Sequence, residues 1–166
     1  MTEPSFDRVA RTIYEAPVGQ YIGREGAEVL ARHAGDEMHL ADNEPLFRKG
    51  EYATTFYIVT QGRLAFVREA TKSRSQVILH VLEPGDLVGE LSFIDGRQYT
   101  VTCIALGNAS VLSFKVHDLT PLIDESPRVL YDFMRAVIMR VHQTSASISA
   151  QRQELADYIA TGGKRF

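Results

Sequence analysis

Three patterns of apolar and polar residues follow one another along the chain. Between Phe6 and Gly35 apolar residues recur at helical spacing, first Val9, Ile13 and Tyr14, then Ala27, Leu30 and Ala31. Pro17 and Gly19 interrupt the run, so it predicts two short helices, with Gly35 as a C-terminal stop. From Glu37 to about Val116 the period changes. β-Branched and aromatic runs such as "TTFYIVTQGRLAFVRE" and "SQVILHVL" alternate with turn signals. These signals fall at Lys49-Gly50, Gln61-Gly62, Thr71 to Ser75, Pro84-Gly85, Asp95-Gly96 and Gly107-Asn108. A spacing of about 10 to 13 residues predicts an all-β jelly roll, whose closure hides strand edges that an open sheet would leave bare.

The third pattern is a long helix. Ser126 suits its N-cap and Pro127 its first turn. Leu130, Met134, Val137, Val141, Thr144, Ile148, Gln151, Leu155 and Tyr158 then alternate steps of four and three, ending near Gly162-Gly163. That is a heptad seam, and it predicts self-association through the Ser126–Ile159 helix. Thr144 and Gln151 are polar seam positions of the kind that sets register. The competing reading is that the seam packs on the barrel of its own chain. The predicted fold is therefore mainly β with flanking helices: N-terminal helices over 1–36, a jelly roll over 37–117 and C-terminal helices over 118–162, together one domain.

Composition narrows the function more than the fold. The 166 residues are 45% hydrophobic with a formal net charge of -3, as in an ordinary globular domain. No basic face is indicated for DNA. No apolar run approaches the roughly 20 residues that span a bilayer, and "MTEPSFDRVARTIYE" lacks the layout of a secretory signal. The single cysteine, Cys103, excludes an intrachain disulfide, which makes a reducing cytoplasm the expected compartment. It sits in "TVTCIAL" and is expected in the core. The five histidines, His33, His39, His80, His117 and His142, include no His-x-His pair, so no metal site is expected. Ser92, Ser110 and Ser113 have no acid–base partners at a recognisable spacing. Neither catalysis nor a cofactor is expected.

The informative stretch is "PGDLVGELSFIDGRQYT", preceded by "LFRKGEYATTFYIVTQGRLAFV" with glycines at Gly50 and Gly62. With a helical lead-in and a long Pro-initiated helix, these segments resemble the cyclic nucleotide-binding domain family, in particular the sensor half of bacterial catabolite activators. The resemblance covers about Ala27 to Ala150, and the run from Tyr99 to Ser145 matches without a gap. Backbone N–H groups at the start of a helical turn suit a cyclic phosphate, and Gly89 lets the chain approach closely. The resemblance implies that Gly89, Glu90, Leu91 and Ser92 cradle the phosphate and that Glu90 accepts from the ribose hydroxyl. Thr100, which follows further along the chain, offers a hydroxyl contact, with a normal strand residue as the equal reading, and Val101 beside it is a further candidate. Family members place an arginine clamp where this chain has Tyr99. Losing a charged hydrogen bond to an anion costs about 1.5–3 kcal/mol, which puts ordinary cyclic AMP binding in doubt.

Two features bear on the missing charge. Arg97 would share a face with Tyr99 if the next strand begins early, although a solvated turn residue is the competing reading. On the long helix, Arg140, Thr144 and Ser145 of "RVHQTS" match the polar group that covers the base in the family. His80, before the cassette, is a further candidate for the base. Activators of this kind carry a helix-turn-helix domain after the long helix, whereas this sequence ends at "GGKRF", so DNA binding in that manner is not expected. The expected function is a stand-alone regulatory sensor of a cyclic mono- or dinucleotide, or a related anion, that signals through a homodimeric helix to an unidentified partner protein. The alternative is a ligand-free interaction module.

Overall fold

The computed structural model describes residues 6–70 and 75–160; in the last helix the side chains of Thr144, Ser145, Ser147, Ile148, Gln151, Leu155 and Tyr158 fall outside the description. The turn expected at Thr71 to Ser75, apart from Ser75, and the stop at Gly162-Gly163 lie outside the described residues.

Two helices lead in, α1 (Phe6–Glu15) and α2 (Gly19–Arg32), divided at Pro17 as the periodicity predicts. Helix α2 ends on His33, short of Gly35, because the Gly35 N–H is taken by the Ser113 carbonyl at 2.8 Å and already belongs to the barrel. Six antiparallel strands follow: β1 (Glu37–Leu40), β2 (Pro45–Phe47), β3 (Thr55–Glu69), β4 (Gln76–Leu82), β5 (Leu87–Val88) and β6 (Thr102–Lys115). Their order is β1-β6-β3-β4, with β2 on β6 and β5 on β3. Strand β3 is the spine, pairing with β6 from Thr55↔Lys115 to Val67↔Thr102. It bends past Gly62, whose φ is 69° and where a Cβ would meet the Asn108 carbonyl oxygen at 2.2 Å, so only glycine fits.

Two cores share β3. Inside the roll, Val59, Leu64, Leu82, Val88, Cys103 and Val111 are closed off from solvent. On its outer side Phe56, Ile58, Leu112 and Phe114 meet α1, α2 and the C-terminal helix. Phe56 anchors this second core, with Phe114 stacked at 4.8 Å and Phe133 at 5.2 Å. Phe93 meets its edge at 5.0 Å.

The remaining helices are α3 (Glu90–Asp95), α4 (Val116–Leu119), α5 (Leu122–Glu125) and α6 (Pro127–Ala160). Helix α6 begins at Pro127 as the capping residues predict. Along its first four turns, seam residues Leu130, Met134 and Val137 pack against the outer core of the same chain. A second side of α6 leaves Tyr131 65% and Ile138 54% exposed. No helix among the described residues is long and apolar enough to cross a membrane.

Candidate functional site

The site lies where the β5–α3 corner meets α6. Strand β4 ends in a turn at Pro84-Gly85, fixed by hydrogen bonds between Gly85 N–H and Val59 C=O (2.8 Å) and between Val59 N–H and Asp86 C=O (3.0 Å). Two residues of β5 then carry the chain to Gly89, which holds φ at 78° and turns it into α3. A left-handed residue is needed because the strand runs directly into the helix. A Cβ on Gly89 would also come within 2.9 Å of the Tyr99 ring.

Tyr99 is the residue that most shapes this corner. Its backbone is tied to the β2–β3 loop, with Tyr99 N–H on Glu51 C=O at 2.8 Å and Gly50 N–H on Tyr99 C=O at 2.9 Å. Its side chain, 5% exposed, points inward. The ring stacks on Phe47 with centroids 3.7 Å apart, and the hydroxyl donates to the Thr55 carbonyl at 2.5 Å. Burial pushes its phenol well above the usual tyrosine range, helped by neighbouring Tyr57 and Glu51. Where the family places a cation, this chain therefore has a neutral aromatic plug whose single donor is already used.

Arg97 does not stand in for that cation. Strand β6 begins only at Thr102, so Arg97 lies on the turn after α3. Its side chain is 80% exposed and approaches Asp95 at 3.8 Å. The two side chains diverge instead of sharing a face, because Tyr99 is drawn into the core by Phe47 while Arg97 faces water.

Two neighbouring cavities with shared wall residues flank Glu90. One, about 140 Å³, lies between Phe47, Phe66, Tyr99 and the Gly89–Ser92 turn, with Thr100 and Val101 at its side. The other, about 230 Å³, is bounded by Phe66, His80, Leu82, Leu87, Glu90, Leu91, Arg140 and Val141. Phe66, Glu90 and Leu91 belong to both walls. Sequence reasoning therefore named one set of residues that the fold does bring together: Gly89, Glu90, Leu91, Ser92, Tyr99, Thr100 and Val101, with Arg140 across the gap. Thr144 and Ser145 lie outside the described side chains.

The charges are set by one guanidinium between two carboxylates. Arg140 Nη2 stands 3.4 Å from Asp86 Oδ1, both side chains about a quarter exposed, at 24% and 27%. Asp86 also accepts the Glu83 N–H at 2.9 Å, which holds its carboxylate in the β4–β5 turn. Glu90 is mostly enclosed, and burial raises its carboxyl above the usual range. Its own backbone N–H and the nearby Arg140 partly oppose the shift, and Asp86 adds to it. Asp86, Phe47 and Phe66 were not singled out from sequence, although Asp86 stands in the same "PGD" turn and could have been found there.

Two further titratable side chains belong to the packing of the roll. Cys103 is buried in the roll, which pushes its thiol up to about 12. His39 Nδ1 pairs with the Ser110 hydroxyl at 2.8 Å. Among the described residues no three metal-ligating side chains cluster.

Comparison with known proteins agrees with this geometry. The family model for the cyclic nucleotide-binding domain matches residues 37–126. The chain is 27% identical over 154 residues to an uncharacterized NTE family protein of Mycobacterium tuberculosis, covering 92% of this chain and 25% of that protein. It is 23% identical over 105 residues to the cyclic AMP receptor protein of Thermus thermophilus, covering 63% of this chain and 48% of that one. It spans half or less of the length of both these relatives. Among solved structures, the N-terminal domain of a transcriptional regulator from Streptomyces coelicolor superposes with a TM-score of 0.69 at 28% identity, covering 80% of this chain and 94% of that one. The family match spans more than half of the chain and takes in the roll and the Gly89 corner; the chain belongs to the cyclic nucleotide-binding domain family.

Proposed function

We propose that this chain is a regulatory sensor whose ligand site is the pair of cavities at Glu90, and that it reports occupancy through α6. The observation that carries this reading is the shared wall. Glu90 and Leu91 on α3 face Arg140 and Val141 on α6 across one open cavity. A ligand there contacts both elements, and it shifts their arrangement only by binding one arrangement better than another. A physical link already runs between them: Phe93 on α3 meets Phe56, and Phe56 stacks on Phe133 of α6. Packed aromatics have few alternative arrangements, so a displacement of α3 bears directly on α6.

Calorimetric titration with cyclic mono- and dinucleotides and their parent nucleosides tests the site, with hydrogen exchange of residues 127–143 as the readout at α6. Heat on binding with altered protection of that helix is the expected result. No heat from any of these compounds, or from an uncharged aromatic alcohol, at millimolar concentration would sink the sensor reading.

The signalling form we propose is a homodimer through α6, acting on a partner protein. Leu130, Met134 and Val137 are used on the chain's own core, so the surface for a second copy is the other side. Tyr131 and Ile138 are exposed there, seven residues apart, which is the repeat of a coiled-coil face. Sedimentation equilibrium should find a dimer, and a monomer at high concentration would remove this part. A ligand-free interaction module is the second reading, favoured by Tyr99 filling the clamp position and by the Arg140–Asp86 pair.

A further inference from the structure

The chemistry of the Glu90 cavities points to a ligand class other than the one expected by family likeness. We propose that the site takes an uncharged, planar, largely apolar molecule carrying a hydroxyl or amine that donates to Glu90, and that it discriminates against phosphates. This rests on the reading of these cavities as the sensor's ligand site.

Three observations carry it. First, the end that would hold a phosphate is apolar. Tyr99 and Phe47 close it as a stacked pair, and the Tyr99 hydroxyl points away to the Thr55 carbonyl. A phosphate moved there would lose its hydration against two aromatic rings, with no charged donor in return.

Second, the fixed charge has the wrong sign. Among the described residues, Arg140 is the one lysine or arginine lining either cavity, and it is matched by both Asp86 and Glu90. With both carboxylates ionised the cluster carries one net negative charge, although Asp86 reaches the cavities only through its pairing with Arg140. The other arginine considered, Arg97, is directed to solvent beside Asp95. A monoanion brought to Glu90 meets repulsion that low local polarity strengthens. Withdrawing Arg140 to hold it would leave Asp86 with the Glu83 N–H and solvent in place of its ion pair.

Third, the remaining surface suits a flat apolar body. Phe66 offers a ring shared by both cavities, with Leu82, Leu87 and Val141 on the α6 side and Leu91, 49% exposed, as a cover. Glu90 is the acceptor at the centre. Burial disfavours its charge, and its own backbone N–H and Arg140 oppose this only in part, so a further donor from the ligand is favourable there.

Matched probe pairs test this directly. Adenosine and 1-naphthol are the uncharged members, cyclic AMP and 1-naphthyl phosphate the charged ones. Each is titrated against isotope-labelled protein while the amide signals of Gly89 to Ser92 are followed. The expected result is that within at least one pair the uncharged member half-saturates these signals at a concentration at least ten-fold lower. Glu90→Gln should shrink that ratio by improving the phosphates, because it removes the charge and keeps the shape. Tyr99→Arg, if it folds, should reverse the ratio.

A charged member that binds more tightly at these residues in both pairs overturns the inference and leaves the sensor reading standing. An unchanged ratio in Glu90→Gln overturns the electrostatic part. No shift at Gly89 to Ser92 with any probe, cyclic di-GMP included, overturns both.

Discussion

Glu37 and Glu90 are both half-hidden carboxylates at junctions between the roll and a helix, yet their surroundings differ. Glu37, at the start of β1, accepts from Arg8 of α1 at 2.6 Å and from Thr60 of β3 at 2.7 Å. Burial alone would raise its carboxyl, but the hydrogen bonds from Thr60 and Arg8 outweigh it and hold the group below its usual range. Glu90 has burial as its leading influence and shares its nearest cation with Asp86, so its carboxyl is raised. One carboxylate is satisfied by the fold and fastens α1 to the barrel. The other, held only by its own backbone N–H and by a guanidinium shared with Asp86, keeps a raised carboxyl beside open cavities, the kind of perturbed group that functional sites collect.

The largest effect that bears on this contrast comes from the plug beside Glu90. Tyr99→Ala should cost about 3–5 kcal/mol in denaturant unfolding, the range for deleting a large buried aromatic side chain. A loss below about 1 kcal/mol would mean that Tyr99 is not the wall of the cavity, and Glu90 would lose the apolar surroundings on which the comparison depends.

The two carboxylates themselves should separate more finely. Glu37→Gln should lower stability at neutral pH by about 1–3 kcal/mol, the usual loss for a charged hydrogen bond, whereas Glu90→Gln should leave it unchanged or slightly raise it. The pH dependence has opposite signs. Glu37 titrates below its ordinary 4.5 in the folded state, so the unfolded chain takes up its proton first and stability falls as pH drops below about that value. Glu90 titrates above 4.5. The folded chain then takes up its proton first, and stability rises as pH falls from the raised value towards 4.5. Unfolding curves across pH 3–8 for the two variants against the parent check both signs. Equal losses in Glu37→Gln and Glu90→Gln would erase the difference between a fastening carboxylate and a ligand-facing one.

How much of this was legible in the sequence varies with the range of the interaction. Helices α1, α2 and α6 follow from local periodicity and from Pro17, Ser126 and Pro127, which act within a turn of themselves. The turns at Pro84-Gly85 and Gly89 likewise act on their own backbone, whereas the breaks expected at Gln61-Gly62 and Gly107-Asn108 are irregularities inside the continuous strands β3 and β6. The site was half legible: the "PGDLVGEL" run named the corner, and Arg140 was placed across from it. Arg97 and Tyr99 show the limit. They are two residues apart in a segment that is extended on paper, yet one is 80% exposed and the other buried. Phe47, fifty residues earlier, decides which of them turns inward.

The seam on α6 has the same lesson. Its spacing alone determined that a long amphipathic helix forms, because backbone geometry converts steps of three and four into one face. What that face touches is not a property of the helix. The outer core supplied a partner for Leu130, Met134 and Val137 within the chain, and only the tertiary structure could show it. The sequence by itself determined the roll, the Gly89 corner and the family. Tertiary structure decided the chemistry of the site, because the charge left at Glu90 depends on Asp86 and Arg140 meeting across separate elements, and the polarity of the pocket depends on where the Tyr99 hydroxyl finds its acceptor.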